Sequence, residues 1–360
     1  MLKIGIVGLA QAGKTTLFRI LTKAHGGGLE AGKPEAHIGV AHVPDARLAT
    51  LSSLYNPRKT VYASIEYVDT PGSVIDMTRT GVQAASLREM QALMHVVNAF
   101  SSPAGLTPES AAALRGDIEN VELELILSDL AVAEKRLERL EKDIKKMKNP
   151  ALELEQKALL KCKSTLEKQT PLREWAFAAE EERALRGFTF LSMKPMLYVL
   201  NLSESEAARA NTAAEFAHAA QLKERPRTGV TAVCGSVEAE LAELADAEAA
   251  EFMASYGLKE SAIARLIRSS YSLLGLISFF TVGEDECRAW TIRAGATAWE
   301  AAGEIHSDIQ KGFIRAEVVD YDHLISAGSL AEARNRAQLR LEGKDYVVHD
   351  GEVVHFRHSG

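Results

Sequence analysis

The sequence predicts an α/β fold in which a parallel sheet is interrupted by an antiparallel coiled-coil arm and followed by a small β-grasp (ubiquitin-like) domain. Three observations predict it. First, a buried strand, a glycine-rich loop and a helix occupy residues 2–21. Second, about 90 mostly helical residues separate the third and fourth candidate strands. Third, short strands begin near residue 276. The predicted boundaries are 1–118 and 190–275 for the sheet domain, 119–189 for the arm and 276–360 for the last domain.

The composition describes a globular chain too long for one ordinary core, with 360 residues of which 46% are hydrophobic and 25% charged. The net charge of −7 opposes adhesion of the whole molecule to nucleic acid or membrane, so such a partner needs a local basic patch. The three cysteines have neither disulfide nor metal-ligand spacing. With no signal peptide and no long apolar run, we expect a cytoplasmic monomer without a membrane segment.

The N-terminal loop matches the phosphate-binding pattern GxxxxGK[ST], between a strand and a helix as this motif requires. Backbone N–H groups at the helix start would surround phosphate oxygens. Lys14 would bridge the β- and γ-phosphates as a catalytic residue, and Thr15 would ligate Mg²⁺. The alternative is an accidental glycine loop. The predicted nucleotide-binding residues are Gly8, Gln11, Ala12, Gly13, Lys14, Thr15 and Thr16.

A second strand, at residues 61–69, ends in the DxxG sequence formed by Asp69, Thr70, Pro71 and Gly72. Asp69 at the strand end can hold the Mg²⁺ shell, and the N–H of Gly72 can contact the γ-phosphate, which makes Gly72 the second predicted catalytic residue. The same four residues form a common turn. Their position about 50 residues after the P-loop favours the functional interpretation.

Two further strand ends are candidates for contact with the base. The strand at residues 195–200 is followed by Asn201, Leu202 and Glu204, where guanine-specific proteins of this class carry N-K-x-D. Leu202 replaces the lysine and Glu204 is one methylene longer than aspartate, which weakens the prediction of guanine specificity. The strand and turn at residues 229–236, with Cys234 and Ser236, either complete the base pocket or are an ordinary strand ending.

The helical arm is predicted from two apolar seams, one before and one after Pro150. This pattern is typical of an antiparallel coiled-coil hairpin with its tip near Pro150. Residues 134–148 carry seven basic and four acidic side chains, which form either a solvated helix surface or an RNA-contacting prong. The predicted seam residues are Leu130, Ala133, Leu137, Leu140, Ile144, Met147, Leu152, Leu159, Cys162 and Leu166.

The C-terminal domain is predicted from a ββα pattern followed by further strands, which is typical of a β-grasp module. Such modules bind partners, and neither catalytic nor metal-ligand spacing is found in this one. The predicted elements are strands at 277–282 and 286–292, a helix at 297–308, and strands at 312–319, 346–348 and 353–356.

The order of these features resembles the YchF/Obg-like ATPase family, whose last domain is a TGS domain, over essentially the whole chain. The resemblance implies a P-loop nucleoside triphosphatase that uses Mg²⁺, prefers ATP to GTP and has a ribosome or RNA partner in the cytoplasm. It also implies that the Asn201 side chain and the Leu202 backbone meet the adenine edge. Its most specific stretches are residues 43–48, 201–204, 237–241, 288–292, 311–318 and 341–348.

Three departures from the family pattern concern hydrolysis. The family's P-loop usually has an asparagine where this chain has Gln11, which leaves assistance by K⁺ open. Residues 33–37, in the switch segment at 26–37, lack the threonine that normally serves Mg²⁺. Ser73, at the start of the second switch segment at 73–80, stands where a water-orienting glutamine would follow Gly72. We therefore expect slow turnover.

These observations favour one function and leave two alternatives. The favoured function is a nucleotide switch that binds and slowly hydrolyses ATP with Mg²⁺ and interacts with the ribosome or RNA through the basic arm and the TGS domain. The first alternative is a GTPase of the Obg-related class. The second is a nucleotide-gated RNA- or ribosome-binding module with negligible hydrolysis.

Overall fold

A computed structural model describes residues 2–23, 37–69, 82–100, 108–147, 149–212, 222, 225–258 and 260–359. Its strands are β1 (Lys3–Val7), β2 (His37–His42), β3 (Lys59–Val61), β4 (Ser64–Asp69), β5 (Ala92–Asn98), β6 (Met196–Asn201), β7 (Thr228–Val233), β8 (Leu276–Thr281), β9 (Glu286–Arg293), β10 (Phe313–Asp320), β11 (Arg340–Glu342) and β12 (Glu352–His358). Its α-helices are α1 (Lys14–Lys23), α2 (Ala46–Tyr55), α3 (Val82–Arg88), α4 (Pro108–Lys146), α5 (Pro150–Leu166), α6 (Ala179–Leu185), α7 (Gly235–Leu241), α8 (Asp246–Ser255), α9 (Ala262–Leu273), α10 (Ala298–Ile305), α11 (Ser307–Lys311), α12 (Tyr321–Ala327) and α13 (Leu330–Asn335). Within these residues, no helix has the length and apolar run needed to cross a bilayer.

The chain divides into two compact units. The first comprises Met1–Ala41 and Glu66–Ser269, and the second comprises His42–Ile65 and Ser270–Gly360. The sequence did not predict that residues 42–65, which lie between two strands of the first sheet, would belong to the C-terminal unit. The finer boundaries that separate the arm from the sheet domain stay a prediction.

The first unit contains a six-stranded sheet in the order β2-β4-β1-β5-β6-β7. The pairs β1–β4, β1–β5, β5–β6 and β6–β7 are parallel. Strand β6 is buried along its whole length, which explains its unbroken apolar sequence, since parallel strands are covered on both faces. The carboxyl ends of these parallel strands share one edge. This edge therefore carries Gly8, Asp69, Asn201 and Cys234, which follow or end β1, β4, β6 and β7.

The predicted coiled-coil hairpin is confirmed by α4 and α5, which join at residues 147–149. Asn149 caps α5, since its side chain accepts a 2.9 Å hydrogen bond from the Ala151 N–H. Arg136 on α4 pairs with Glu155 on α5 at 2.7 Å, which fits the antiparallel register. The prediction is wrong for Met147, which is 61% exposed because it lies beyond the last turn of α4. The buried seam residues are Ala133, Leu137, Leu140, Ala158, Leu159, Cys162 and Leu166.

The second unit contains a mixed sheet in the order β11-β10-β12-β8-β9-β3. The antiparallel β8–β9 hairpin, the parallel β12–β8 pair and the helix α10 confirm the β-grasp prediction. Helices α12 and α13, and the parallel pairing of β3 with β9, were not predicted. The predicted strand at 346–348 is reduced to one isolated antiparallel bridge, between Val347 and Thr297, because the backbone around it bonds to the start of α10: the Ala298 N–H donates to the Tyr346 carbonyl at 2.7 Å.

Candidate nucleotide-binding site

The P-loop between β1 and α1 has a backbone that depends on two glycines. Gly8 has φ of +148° and Gly13 has φ of +94°, both in the region that glycine adopts without steric cost. A Cβ at Gly8 would lie 2.5 Å from the Val96 carbonyl oxygen on β5, and one at Gly13 would meet the Asn201 amide nitrogen. Gln11 adopts φ of +60° between them. The loop is therefore held close to β5 and to the end of β6.

Lys14, the first residue of α1, folds back onto this loop. Its Nζ donates to the Leu9 carbonyl at 2.7 Å and to the Gly8 carbonyl at 3.2 Å. Burial lowers the pKa of Lys14, and the nearby Asp69 carboxylate opposes that shift. The ammonium group is thus held at the concave side of the loop, where a phosphate can replace the carbonyls as its partner.

Thr15 and Asp69 form a pair beside the loop. The Thr15 hydroxyl donates to Asp69 Oδ2 at 2.9 Å, although 54 residues separate them in the chain. Asp69 is only 3% exposed, and its second oxygen, Oδ1, is buried with no hydrogen-bond partner among the described residues. Burial raises the pKa of Asp69, while Thr15 and Lys14 act against that rise. A buried carboxylate oxygen without a donor fits the shell of a divalent cation, which prefers oxygen ligands.

Asn201 connects the P-loop to the turn between β7 and α7. Its Nδ2 donates to the Ala12 carbonyl at 3.1 Å, and its Oδ1 accepts from the Gly235 N–H at 3.1 Å. An amide has two N–H donors and two carbonyl lone pairs, so one of each stays available for a base. The predicted adenine contact of Asn201 stays a prediction, whereas its structural role as a clamp between two loops was missed.

Leu202 and Glu204 differ from a guanine-binding pair in this structure. The Leu202 side chain is 2% exposed within the apolar core, and its N–H donates to the Val233 carbonyl at 2.7 Å. The exposed Glu204 accepts a 2.7 Å hydrogen bond from the Tyr256 hydroxyl, which raises the pKa of Tyr256 to about 12. Sequence reasoning missed Tyr256, because nothing local indicates that the end of α8 reaches this carboxylate.

The structure describes some of the remaining predicted site residues and not others. Cys234 is 3% exposed, and its Sγ lies 3.3 Å from the Ser236 hydroxyl at the start of α7, beside Gly235 and Asn201. Thr16 is exposed on the first turn of α1. Gly72 lies outside the described residues, as do nearly all of the two predicted switch segments.

One further residue beside the loop was missed. His95 on β5 is fully buried next to Gly8, and neither ring nitrogen has a partner among the described residues. Burial lowers its pKa to about 3. A lone histidine inside the apolar run at residues 94–100 was the available signal.

Comparisons with known proteins agree with this geometry. Residues 3–149 match a family model described as a 50S ribosome-binding GTPase, and residues 276–359 match the model YchF-GTPase_C, described as a protein of unknown function (DUF933). The ribosome-binding ATPase YchF of Bacillus subtilis (strain 168) is 40% identical over 364 residues, and the match covers 99% of each chain. This chain belongs to the YchF family.

Other YchF proteins support the same assignment. The ribosome-binding ATPase YchF of Escherichia coli O157:H7 is 39% identical over 363 residues, which are 98% of each chain. The structure of the Schizosaccharomyces pombe YchF GTPase matches with a TM-score of 0.81 at 27% identity, covering 99% of this chain and 97% of that one. The predicted YchF resemblance and the P-loop nucleoside triphosphatase fold with its C-terminal β-grasp domain are therefore confirmed.

Proposed function

We propose that this YchF-family chain binds ATP with Mg²⁺ and hydrolyses it slowly. The observation that carries the proposal is the Thr15–Asp69 pair beside the P-loop, with its buried, unpartnered carboxylate oxygen. The two curated relatives named above, from Bacillus subtilis and Escherichia coli, are named ribosome-binding ATPases, which supports the same activity.

The chain's own residues act by positioning and by charge. Backbone N–H groups at the start of α1 surround the phosphates, and Lys14 places a positive charge against the β- and γ-phosphates. Thr15 and Asp69 hold the Mg²⁺ shell, and the ion supplies neutralisation of phosphate charge when bound. The proposed role of Gly72 is to sense the γ-phosphate. Because Ser73 follows Gly72 where a glutamine would orient water, turnover is slow.

The proposed preference for adenine rests on the residues that follow the carboxyl end of β6. A lysine in the N-K-x-D motif lies along the base, whereas the Leu202 side chain is in the core. The Glu204 carboxylate, which would accept from guanine, is bonded to Tyr256. A preference for GTP is the alternative, and the matching Schizosaccharomyces pombe structure is described as a GTPase.

Calorimetric titration with non-hydrolysable ATP and GTP analogues in the presence of Mg²⁺ tests which base the protein prefers. Repeating it in K⁺ and in Na⁺ tests whether binding requires K⁺. Tighter ATP binding supports the proposal, tighter GTP binding selects the alternative, and no binding of either rejects both.

Lys14→Ala should lower turnover at least ~100-fold, as expected for loss of a group that stabilises transition-state charge. Lys3→Ala, on a half-exposed lysine of β1 that lies 3.6 Å from Glu66, is the matched control and should retain activity.

We also propose that the arm tip binds ribosomal or other RNA in the cytoplasm. Lys142, Lys145 and Lys146 are exposed near the tip and make no ion pair with any described residue. By contrast, Arg136 is paired with Glu155. Uncompensated lysines supply the salt-dependent contacts that phosphate backbones attract.

Reversing two tip charges tests this partner. Lys145→Glu/Lys146→Glu should weaken ribosome co-sedimentation and reduce its dependence on salt. The matched control, Lys168→Glu/Arg183→Glu, makes the same charge change at exposed positions away from the tip and should bind as the wild type does. If both variants lose equal affinity, net charge and not the tip governs binding.

A further inference from the structure

A second concave site lies at the sheet edge opposite the P-loop. This pocket, of about 460 Å³, opens at the amino ends of β5, β6 and β7, whereas the P-loop follows the carboxyl end of β1. Its volume is within the range of small-molecule sites. Its lining includes Glu182, Arg186, Met193, Lys194, Pro195 and Arg227.

The pocket has an excess of positive charge. The lining carries three cations, Arg186, Lys194 and Arg227, and one carboxylate, Glu182. Arg186 and Arg227 are exposed, and neither makes an ion pair with a described residue. Two unpaired guanidinium groups at one mouth favour a phosphate, which guanidinium binds in bidentate geometry.

Lys194 is held at the pocket by the backbone that precedes β5. Its Nζ donates to the Arg88 carbonyl at 2.9 Å and to the Met90 carbonyl, which leaves one of its three protons for a ligand. Burial lowers the pKa of Lys194 to about 8, so it is mostly protonated at neutral pH and substantially neutral at pH 8. It is thus a cation for binding and an amine available to a carbonyl reagent.

The wall of the pocket is apolar and its backbone is constrained. Leu185 and Phe190 are buried behind this wall, and the half-buried Met193 and Pro195 offer the apolar surface for a flat ring. Thr189 and Arg227 have φ of +48° and +54°, a conformation that costs non-glycine residues free energy and is concentrated at functional sites. Hydrogen bonds from Arg88 to the Thr189 carbonyl and from the Met196 N–H to the Arg227 carbonyl, at 3.2 and 3.1 Å, fix both.

We propose that this pocket is a second ligand site that takes an aromatic organic phosphate of mononucleotide size. The phosphate binds between Arg186, Arg227 and Lys194, and the ring packs against Met193 and Pro195. The same chemistry is offered by a free mononucleotide and by the 5′-terminal nucleotide of an RNA. The site is separate from the P-loop and does not depend on the activity proposed there.

Labelling with pyridoxal 5′-phosphate at pH 8 tests the site, because this probe joins an aromatic ring, a phosphate and an aldehyde. The Lys194 amine condenses with the aldehyde and releases water, borohydride reduces the imine, and peptide mass spectrometry locates the label. Lys194 should label about tenfold faster with pyridoxal 5′-phosphate than with pyridoxal, which lacks the phosphate. Equal rates with the two reagents overturn the proposal.

Variants and competitors complete the test. Arg186→Gln/Arg227→Gln should slow labelling of Lys194 about tenfold, and Arg183→Gln, on α6 and outside the pocket, should leave it unchanged. Protection by AMP identifies a free nucleotide as the ligand source, and protection only by a 5′-phosphorylated RNA oligonucleotide identifies an RNA end. Protection by neither rejects the site. Because Lys14 labels on a different peptide, failure here is distinguishable from failure of the P-loop proposal.

Discussion

At the scale of single residues, His95 is a buried histidine beside the P-loop whose pKa depends on its surroundings. The imidazole lies on β5 against Gly8, with its ring centroid 5.7 Å from that of Tyr198. Burial, and then the charges of Arg173 and Lys14, lower its pKa to about 3. The ring is therefore neutral in the folded state over the physiological range.

We predict that this histidine destabilises the fold in acid. In the unfolded chain its pKa is near 6.5, so below pH 6.5 the unfolded state binds a proton that the folded state does not. The stabilisation is fully present above pH 6.5 and is lost as the pH falls towards 3, by about 1.4 kcal/mol per pH unit. Urea unfolding at pH 7.5, 6.0 and 5.0 measures it.

The control for this prediction is His95→Phe, which removes the titrating ring from the same position. Its free energy of unfolding should fall less steeply with acidification than that of the wild type. The comparison matters because burial raises the pKa values of Asp69 and Asp129, which act in the opposite direction in both proteins. Parallel curves for the two proteins would contradict the role of His95.

Much of the candidate site could be predicted from local sequence, and some of it could not. The P-loop residues and Asp69 belong to short motifs whose chemistry fixes their spacing, and the structure brings Thr15 and Asp69 together. The bond between Glu204 and Tyr256 joins residues 52 positions apart, and no periodicity or motif relates them. Contacts of that kind follow from how helices pack on the sheet, which the sequence does not state.

At the scale of elements, the base of the arm is tied to the sheet by a buried carboxylate. Asp129 on α4 is fully buried, and it accepts hydrogen bonds from the Leu191 and Ser192 N–H groups at 2.9 and 2.7 Å. Its ion pair with Arg88, at the end of α3, is 3.1 Å long. One side chain therefore joins the arm to the segment that precedes β6 and to α3.

We predict that Asp129→Ala is strongly destabilising. It leaves two buried N–H groups without their acceptor and the Arg88 guanidinium without its ion-pair partner, and loss of one partner from a buried pair costs about 3–5 kcal/mol. Urea unfolding at pH 7 measures the loss. Asp143→Ala is the matched control, because Asp143 lies on the same helix with a half-exposed side chain 3.9 Å from Arg136, and it should cost less than about 1 kcal/mol. Similar losses for both would show that the Asp129 contacts contribute little.

The elements differ in how far local sequence determines them. The arm was predictable because its apolar seam repeats along one stretch of chain, whereas Met147 deviated where the helix ended. Strand β3 has three residues and pairs with β9, far away in the sequence, so no local pattern marks it as part of that sheet. Residues 346–348 are an aromatic and β-branched run typical of a strand, but their hydrogen bonds go to the start of α10 and the residues just before it.

At the scale of the whole molecule, the C-terminal unit contains a segment from the N-terminal half of the chain. Arg47 at the start of α2 donates to Asp45 and to Asp350, at 2.8 Å in each case, and its guanidinium lies 5.3 Å from the centre of the Phe280 ring. Asp350 also accepts from the Ser278 N–H on β8 at 2.9 Å. Arg47 thus connects residues 42–65 to the rest of this unit.

We predict that Arg47→Met loosens this unit locally. The variant keeps an apolar side chain near Phe280 but removes the donors to Asp350, so the free energy of opening at the Ser278 amide should fall by about 1–2 kcal/mol. Native-state hydrogen exchange reports that amide directly. The matched change Arg58→Met removes an ion pair whose side chains are 86% and 85% exposed, and it should leave exchange at Ser278 unchanged. Equal exchange at Ser278 in wild type and Arg47→Met would rule out the coupling.

The placement of residues 42–65 sets an order of events during synthesis. The partners of α2 and β3 are in β8, β9 and the turn at Asp350, and these leave the ribosome last. About 300 residues must be added after β3 before all of these partners are present. At a translation rate of 5–20 residues per second, this segment lacks its partner strands for roughly 15–60 s. Both strands that flank it, β2 and β4, belong to the sheet that carries the P-loop. The nascent chain must therefore either hold an unfinished loop open between them or delay closing that edge of the sheet until translation ends.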